Sequence, residues 1–393
     1  MKKIDFVVLA GGKGSRIKNY LDGKPKPMLK FNNKYFLDYL INNLCKYPAN
    51  KIYILTGYRS KTIYEHFHKK KINFTEIHCL KEKKPMGTAG ALNILKKHKL
   101  NDFILINGDT IFDINFHELV KSLKKNCIGS MSLTNFKNNT LSNKLNKLSL
   151  KKGIVKSGKK FINGGVYFFK KKILNAIQRK QHSLENDILP ELITGRKISG
   201  KIFKNFFLDI GTPKYLKKSE KKLLRYFNKP AVFLDRDGVI NYDNGYVHQF
   251  KKFKLRKNVI PGLHYLIKKN YYIFIITNQA GIGKGVFSLK DFHTLHIKLK
   301  YFFSEKKIFI NDVKFSPYHP DAKIKKYRKK TNYRKPGNLM IQDVFKNWDI
   351  LKNKSFMIGD KKSDFLAAKK SNLRFEYAKP DFLKQIKEII NNY

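Results

Sequence analysis

Val232-Phe233-Leu234-Asp235-Arg236-Asp237-Gly238 is an apolar run that stops on two carboxylates, with one residue between them, and a glycine. Short apolar runs bounded by turn-forming residues suit strands buried on both faces of a sheet. The pattern recurs at Phe6–Ala10, Ile52–Thr56, Phe103–Asn107, Val166–Phe169, Ile273–Thr277 and Phe356–Ile358, with helix-like segments between. Strands alternating with helices predict an α/β protein whose parallel sheets are covered on both faces. Ligands of such folds sit beyond the carboxyl ends of the strands, so the polar residues ending each run are the first candidates for function. Pro213–Tyr226 predicts a helix with proline at its start. Asn228-Lys229-Pro230 stops it before a fresh strand, which sets domains at 1–226 and 229–393.

A length of 393 residues suits two domains, or three. A hydrophobic fraction of 42% supports packed cores and excludes a disordered chain. The balance of 83 Lys+Arg against 29 Asp+Glu gives a net charge of +54, which favours anionic partners. The lysines are spread along the whole chain beside abundant Asn and Ile, as in a general compositional bias rather than a patch. Nucleic acid is therefore not expected as the main partner, whereas small anionic substrates are. Cys45, Cys79 and Cys127 are odd in number and widely spaced, which fits a reducing compartment without a disulfide framework. The apolar runs are too short to cross a bilayer. Ile4–Ala10 is interrupted by Asp5 and followed by glycines, so it predicts a buried strand rather than a signal peptide. A soluble, cytoplasmic protein with no membrane partner is expected.

Downstream of Asp235-Arg236-Asp237 come Thr277, Lys335 and Gly359-Asp360, with Asp364 four residues after Asp360. Phosphoryl transfer needs this set. One carboxylate attacks phosphorus and a second, two residues on, donates and retrieves a proton. A third helps hold a divalent cation, and a hydroxyl and an ammonium bind the phosphoryl oxygens. A lone Asp-x-Asp is more often a turn or a surface acid; four elements in order at strand ends are specific.

The first half carries a different set. Leu9-Ala10-Gly11-Gly12-Lys13-Gly14-Ser15-Arg16 lets backbone N–H groups approach phosphates, and Arg16 and Lys26 add positive charge. A structural turn needs glycines too, and that alternative stays open here. Asp109 and Asp209 each end an apolar run and could share a divalent metal with nucleotide phosphates; taken singly, each reads more readily as a turn residue. Glu82 only accepts hydrogen bonds, which suits the adjacent N1–H and N2–H donors of guanine. It is equally readable as a solvated acid in a lysine-rich loop.

In order, LAGGKGSR (Leu9–Arg16), PKPM (Pro25–Met28), PMGTAGAL (Pro85–Leu92), NGDT (Asn107–Thr110), INGGVY (Ile162–Tyr167), SLENDILP (Ser183–Pro190) and LDIGTP (Leu208–Pro213) resemble the sugar-1-phosphate nucleotidyltransferases over nearly all of residues 4–220. The wording is most similar to the branch that makes GDP-heptose from heptose 1-phosphate. The resemblance implies that Leu9, Ala10, Gly11, Gly12, Gly14, Glu82, Gly87, Thr88 and Asp109 line the nucleotide. It sets Arg16 on the leaving phosphates, Lys26 on the transferring one, Mg²⁺ on Asp109 and Asp209, and the sugar on Asn163, Gly164 and Glu185. Relatives usually carry a Glu-Lys pair before INGG; Leu148–Lys160 holds no acid here, which puts some sugar contacts in doubt.

DRDGVIN (Asp235–Asn241), GYV (Gly245–Val247), TNQAGIGKG (Thr277–Gly285), RKP (Arg334–Pro336) and IGDKKSD (Ile358–Asp364) resemble the haloacid-dehalogenase superfamily of phosphatases over residues 231–375. They look like its heptose 1,7-bisphosphate branch, with histidinol-phosphate phosphatase as the close cousin. This resemblance implies Asp235 as nucleophile and Asp237 as acid and base, with Thr277 and Lys335 on the transferring phosphate. Mg²⁺ then sits on Asp235, the Asp237 carbonyl and Asp360, and Asn278, Gln279, Lys284 and Arg334 contact substrate. Only about forty residues separate Asp237 from Thr277, too few for a large cap domain. Relatives often hold a structural zinc where this chain has Ser316-Pro317-Tyr318 and Thr331-Asn332-Tyr333. No zinc is expected; Tyr318, Tyr327 and Tyr333 are left to pack the loop, or the loop to move.

The implied folds are two Rossmann-like three-layer domains, a nucleotidyltransferase fold followed by a haloacid-dehalogenase-like fold. The implied activity is a Mg²⁺-dependent bifunctional enzyme in which removal of one phosphate yields the sugar 1-phosphate that an NTP then activates. The alternatives are another sugar 1-phosphate with a histidinol-phosphate-like phosphatase, and a basic RNA-binding protein on a degenerate scaffold.

Overall fold

The computed structural model describes residues 4–12, 19–21, 23–57, 59–135, 147–177, 182–211 and 213–392. The chain divides into two compact units, Met1–Leu44 with Ala49–Leu224, and Cys45–Pro48 with Arg225–Tyr393.

The first unit is built on a ten-stranded sheet. Its order is Leu148–Lys151, Ile154–Ser157, Ile198–Ile202, Gly129–Asn135, Phe161–Phe169, Phe103–Asn107, Ile4–Leu9, Ala49–Thr56, Thr75–Lys81, Lys71–Ile72. Ile4–Leu9 is parallel to both its neighbours, and Val7 and Val8 are fully buried. The expectation of purely parallel sheets fails at Phe161–Phe169, which is antiparallel to Phe103–Asn107 and Gly129–Asn135. The hairpin Leu148–Lys151/Ile154–Ser157 precedes it, joined to it by a short turn, and the chain returns in the opposite direction.

Two irregularities shape this unit's ligand edge. Between Asn163 and Tyr167 the pairing with Gly129–Asn135 slips, so that four residues on one strand span two on the other. Such a bulge re-aims its side chains, and it falls on the Asn163-Gly164 pair. Phe207–Asp209 leaves the main sheet and pairs antiparallel with Thr110–Phe112, with Asp209 opposite Thr110. This ribbon brings together two carboxylates a hundred residues apart in the chain.

The second unit has five strands, all parallel, in the order Asp312–Ser316, Tyr272–Asn278, Ala231–Leu234, Phe356–Gly359, Arg374–Tyr377. The central strands Ala231–Leu234 and Phe356–Gly359 are buried throughout, as continuous apolar runs require. Helices Val259–Lys268, Leu289–Glu305, Leu339–Asn347, Lys362–Lys369 and Phe382–Asn391 accompany the sheet. Leu289–Glu305 starts on a capping box between Ser288 and Asp291. Phe233, Phe274, Ile276, Met357 and Trp348 pack in one core cluster. From Asp237 to Tyr272 the chain forms only the 3₁₀ turn Phe250–Lys252 and the helix Val259–Lys268, so no large cap covers the strand ends.

Candidate active sites

Three adjacent strands of the second unit deliver reactive groups to one edge. Asp235 follows Ala231–Leu234, Thr277 lies near the end of Tyr272–Asn278, and Asp360 follows Phe356–Gly359. The register sets Leu234 opposite both Ile275 and Ile358. Lys335, 3% exposed, reaches in from a loop. Its Nζ lies 2.9 Å from Asp235 Oδ1 and 2.5 Å from Asp364 Oδ1 and donates to the Ile276 carbonyl. Asn278 fixes that loop by exchanging two hydrogen bonds with the Lys335 backbone. Asp235 Oδ1 also accepts the Arg236 N–H, so both contacts fall on one oxygen and neither on Oδ2. Gln279 Nε2 donates to Asp237 Oδ2 and to Thr277 Oγ1, each at 2.9 Å. Gly238 has φ +86, and a Cβ there would strike the Asp360 carboxylate, so only glycine lets the turn pass this close.

In the first unit Lys26 Nζ lies 2.5 Å from Asp109 Oδ2. Thr110 Oγ1 lies 3.3 Å from Asp109 Oδ1 and 3.4 Å from Asp209 Oδ2, between the two carboxylates. Gly211 N–H donates to Asp209 Oδ1. Glu82 lies against Gly11: a Cβ on Gly11 would come within 2.8 Å of Glu82 Oε1. The other carboxylate oxygen accepts the Met86 N–H at 3.3 Å. Glu82 is half-buried, not a solvated surface acid. Thr88 Oγ1 donates to Glu185 Oε2 at 2.9 Å and accepts the Leu184 N–H, which joins the Pro85–Leu92 and Ser183–Pro190 segments. Asn163 Nδ2 donates to Tyr167 Oη, and its Oδ1 accepts the Gly165 N–H.

A family profile described as nucleotidyl transferase matches residues 6–140, and one described as polynucleotide kinase 3 phosphatase matches residues 234–385. The D-glycero-beta-D-manno-heptose-1,7-bisphosphate 7-phosphatase of Rhodopseudomonas palustris is 40% identical over 162 residues, which is 40% of this chain and 90% of that protein. The chain belongs to this phosphatase family. The protein of the same name from Escherichia coli K12 is 33% identical over 144 residues, 37% of this chain and 75% of its own length. The crystal structure of HddC from Yersinia pseudotuberculosis is similar at 27% identity, covering 56% of this chain and 99% of HddC, with a TM-score of 0.48. The chain joins a region that matches the nucleotidyl transferase profile to a phosphatase of the heptose-bisphosphate family.

The charges in the phosphatase half act on one another at close range. Burial pushes the Asp235 carboxyl up to about 7, Lys335 opposes this, and the Asp364 and Asp237 charges add to it. For Lys335, burial works against the ammonium, but Asp235 and Asp364 outweigh it and hold its pKa above the usual value. Carboxylate oxygens of Asp235, Asp360 and Asp364 lie within 4.8 Å of one another. Asp360 Oδ1 is buried without a hydrogen-bond partner, and burial raises its carboxyl. An orphaned acceptor among like charges fits a divalent cation. Asp364 belongs to this cluster but is engaged by Lys335 and the Lys361 N–H.

The transferase half shows the same crowding. Burial raises Asp209 to about 6, with Asp109 adding and Lys26 opposing. Burial also works on Asp109, but the Lys26 ion pair outweighs it and leaves that carboxyl below its usual value. Two acids and one lysine fit a cation.

The two halves differ in how much of each predicted set can be placed. Asp235, Asp237, Thr277, Asn278, Gln279, Lys335 and Asp360 converge at one sheet edge. Burial, then the charges of Arg334 and Lys284, hold the His319 imidazole below its usual range, so three basic groups share that neighbourhood. In the transferase half Gly14 and Arg16 lie outside the described residues, whereas Lys26, Asp109 and Asp209 meet. At the loop where the resemblance raised a zinc site, Ser316, Tyr318, Thr331 and Tyr333 are not a zinc donor set by type. Instead Lys329 Nζ sits 4.3 Å over the Tyr318 ring, and Tyr318 meets Tyr327 edge-on at 6.1 Å. Tyr333 packs against the sheet core.

Sequence reasoning missed Thr110, which lies between the two acids, and the buried Arg236 and His296. Nothing in a single sequence marks a threonine beside an aspartate, an arginine inside Asp-x-Asp or a histidine sixty residues away. His296 carries a pH signature. Burial first, then the Arg236 charge, hold its imidazole well below the usual value of about 6.5. Below that pH the unfolded chain takes up a proton the native state refuses, so stability falls as pH drops. His296→Asn is expected to flatten that part of the slope, read as urea midpoints between about pH 7 and pH 5.

Proposed function

We propose that the protein makes a nucleotide-activated heptose in two consecutive steps, with residues 229–393 as the phosphatase and 1–226 as the transferase. The observation that carries this reading is the buried Lys335 between Asp235 and Asp364, beside a glutamine that ties Thr277 to Asp237. The family name of the phosphatase relatives supplies the substrate, D-glycero-D-manno-heptose 1,7-bisphosphate. Asp235 Oδ2 attacks the phosphorus at carbon 7. The bond from phosphorus to the sugar oxygen breaks, and Asp237 gives that oxygen a proton. Water then attacks the aspartyl-phosphate, Asp237 takes its proton, and Asp235 is released with inorganic phosphate. Thr277 and Lys335 hold the phosphoryl oxygens; Asn278, Gln279, Lys284 and Arg334 contact the rest of the substrate.

The product, heptose 1-phosphate, is the acceptor for the other half. Its phosphate oxygen attacks the α-phosphorus of an NTP, and pyrophosphate leaves. The protein contributes position and charge: the Leu9–Gly14 loop around the nucleotide, Lys26 and Arg16 on the phosphates, Asn163, Gly164 and Glu185 on the sugar. GTP is the proposed donor, because Glu82, beside Gly11, offers an acceptor to guanine's paired N–H groups. Mg²⁺ is the proposed cation, on Asp235, Asp360 and the Asp237 carbonyl in one half and on Asp109 and Asp209 in the other, where it screens the phosphates' negative charge. No helix among the described residues is long and apolar enough to cross a membrane, and the cytoplasm, which holds NTPs and Mg²⁺, is the proposed compartment.

Incubation with heptose 1,7-bisphosphate, Mg²⁺ and each NTP in turn, followed by mass spectrometry, tests the whole reading. GDP-heptose is expected with GTP alone. Accumulation of heptose 1-phosphate without nucleotide sugar would overturn the transferase's substrate, and untouched bisphosphate would overturn the heptose assignment. Chelation of divalent metal is expected to stop release of both phosphate and pyrophosphate, and added Mg²⁺ to restore both.

A further inference from the structure

Arg236 lies between the two aspartates and is fully buried. Its guanidinium grips the next residue: Nη2 donates to Asp237 Oδ2 at 2.8 Å and Oδ1 at 2.9 Å, and Nε donates to both oxygens at 3.1 Å. The fork is itself clamped. Nη2 also donates to the Val247 carbonyl at 2.7 Å, and Nη1 faces His296 Nε2 at 3.3 Å. A guanidinium has no acceptor, so His296 Nε2 must accept and the imidazole proton sits on Nδ1. The Phe292 ring lies 5.8 Å from the guanidinium carbon. Asn241 Nδ2 adds a bond to Asp237 Oδ1, and Gln279 Nε2 one to Oδ2.

A carboxylate on one methylene can turn about two bonds. Acid–base work at a leaving oxygen needs one orientation, and small misplacements are costly. A lysine would supply a point charge; a guanidinium supplies a plane that matches the carboxylate plane and fixes it. Among the described residues Asp237 is the only carboxylate paired with this buried cation, so the pair has no cheap alternative geometry.

We propose that Arg236, backed by His296 and the Val247 carbonyl, is the positioning residue that fixes the plane of Asp237 for proton transfer to the departing alcohol. This rests on the proposed acid role of Asp237. Arg236 is fully buried with its donors turned to Asp237, His296 and the Val247 carbonyl, so its loss is expected to harm the step that needs an oriented proton donor. A poor leaving group such as an alkyl or sugar alcohol needs that proton, whereas p-nitrophenolate leaves without it.

The test is rapid-quench measurement of phosphoenzyme formation by the full chain, with the sugar bisphosphate and with p-nitrophenyl phosphate. Arg236→Lys is expected to slow formation about 10- to 100-fold with the sugar substrate and less than about threefold with the aryl one, a partial loss of the roughly 10²- to 10⁴-fold that general acid catalysis supplies. His296→Leu, which loosens the clamp and keeps the arginine, is expected to show a smaller effect of the same selectivity, and carries the test if the Arg236 variant fails to fold. His296→Gln, which keeps an acceptor, is expected to restore the sugar rate. Asp237→Asn is the reference. If it shows leaving-group selectivity while the Arg236 and His296 variants slow both substrates equally, or neither, the positioning role is overturned and the acid role stands. If Asp237→Asn itself lacks selectivity, the acid role falls.

Discussion

Asp235→Asn is expected to abolish phosphate release from the bisphosphate while nucleotidyl transfer to supplied sugar 1-phosphate continues at the wild-type rate. The amide cannot form the aspartyl-phosphate, and loss of a nucleophile costs about 10⁴-fold or more. The isosteric change separates chemistry from folding. Lys335 retains Asp364 at 2.5 Å, so the buried ammonium keeps a counter-ion. Asp235 is itself under strain from burial and from the neighbouring acids, and neutralising it relieves that. The thermal midpoint is therefore expected to hold or rise, while phosphate release, followed by a phosphate-sensing assay, disappears. Phosphate release that persisted at even a hundredth of the wild-type rate would move the nucleophile elsewhere.

The legibility of the fold and of the sites differs by range in the chain. The strand Phe103–Asn107 and the helix beginning at Pro213 were readable from pattern alone, because buried strands and proline-started helices leave local signals. The antiparallel course of Phe161–Phe169 was not. Direction depends on whether a hairpin or a crossover precedes a strand, and both carry similar apolar runs. Asp235, Thr277, Lys335 and Asp360 were picked out because phosphoryl transfer asks for their types, and the fold brings them to one sheet edge. The bond from Gln279 to both Thr277 and Asp237 and the fork of Arg236 are side-chain geometry, which sequence order does not encode. Glu82 shows the intermediate case. Its residue type left two readings open, and only its seat against Gly11 distinguishes a half-buried acceptor from a solvated acid.

Asp209→Asn carries the second large effect, and it is a cleaner probe of the transferase than Asp109→Asn. Lys26 is 9% exposed and paired with Asp109. Removing Asp109 takes away the direct ion-pair partner of a buried ammonium, at a cost of about 3–5 kcal/mol for a broken buried pair, so lost activity would be confounded with lost structure. Asp209 stands the other way round. Burial and the Asp109 charge raise it to about 6, so neutralising it removes a repulsion. The Gly211 N–H that now donates to Asp209 Oδ1 can donate to the amide oxygen instead. Stability is thus expected to stay level or improve. Transfer is expected to fall about 100-fold or more, because a neutral amide holds a divalent cation poorly and charge stabilisation is the main work asked of this half. Pyrophosphate release from GTP and sugar 1-phosphate, measured beside phosphate release from the bisphosphate, reads both halves of one sample. A selective loss of the first with the second intact places the transferase metal on Asp209; undiminished pyrophosphate release would remove Asp209 from the site and leave Asp109 paired only with Lys26.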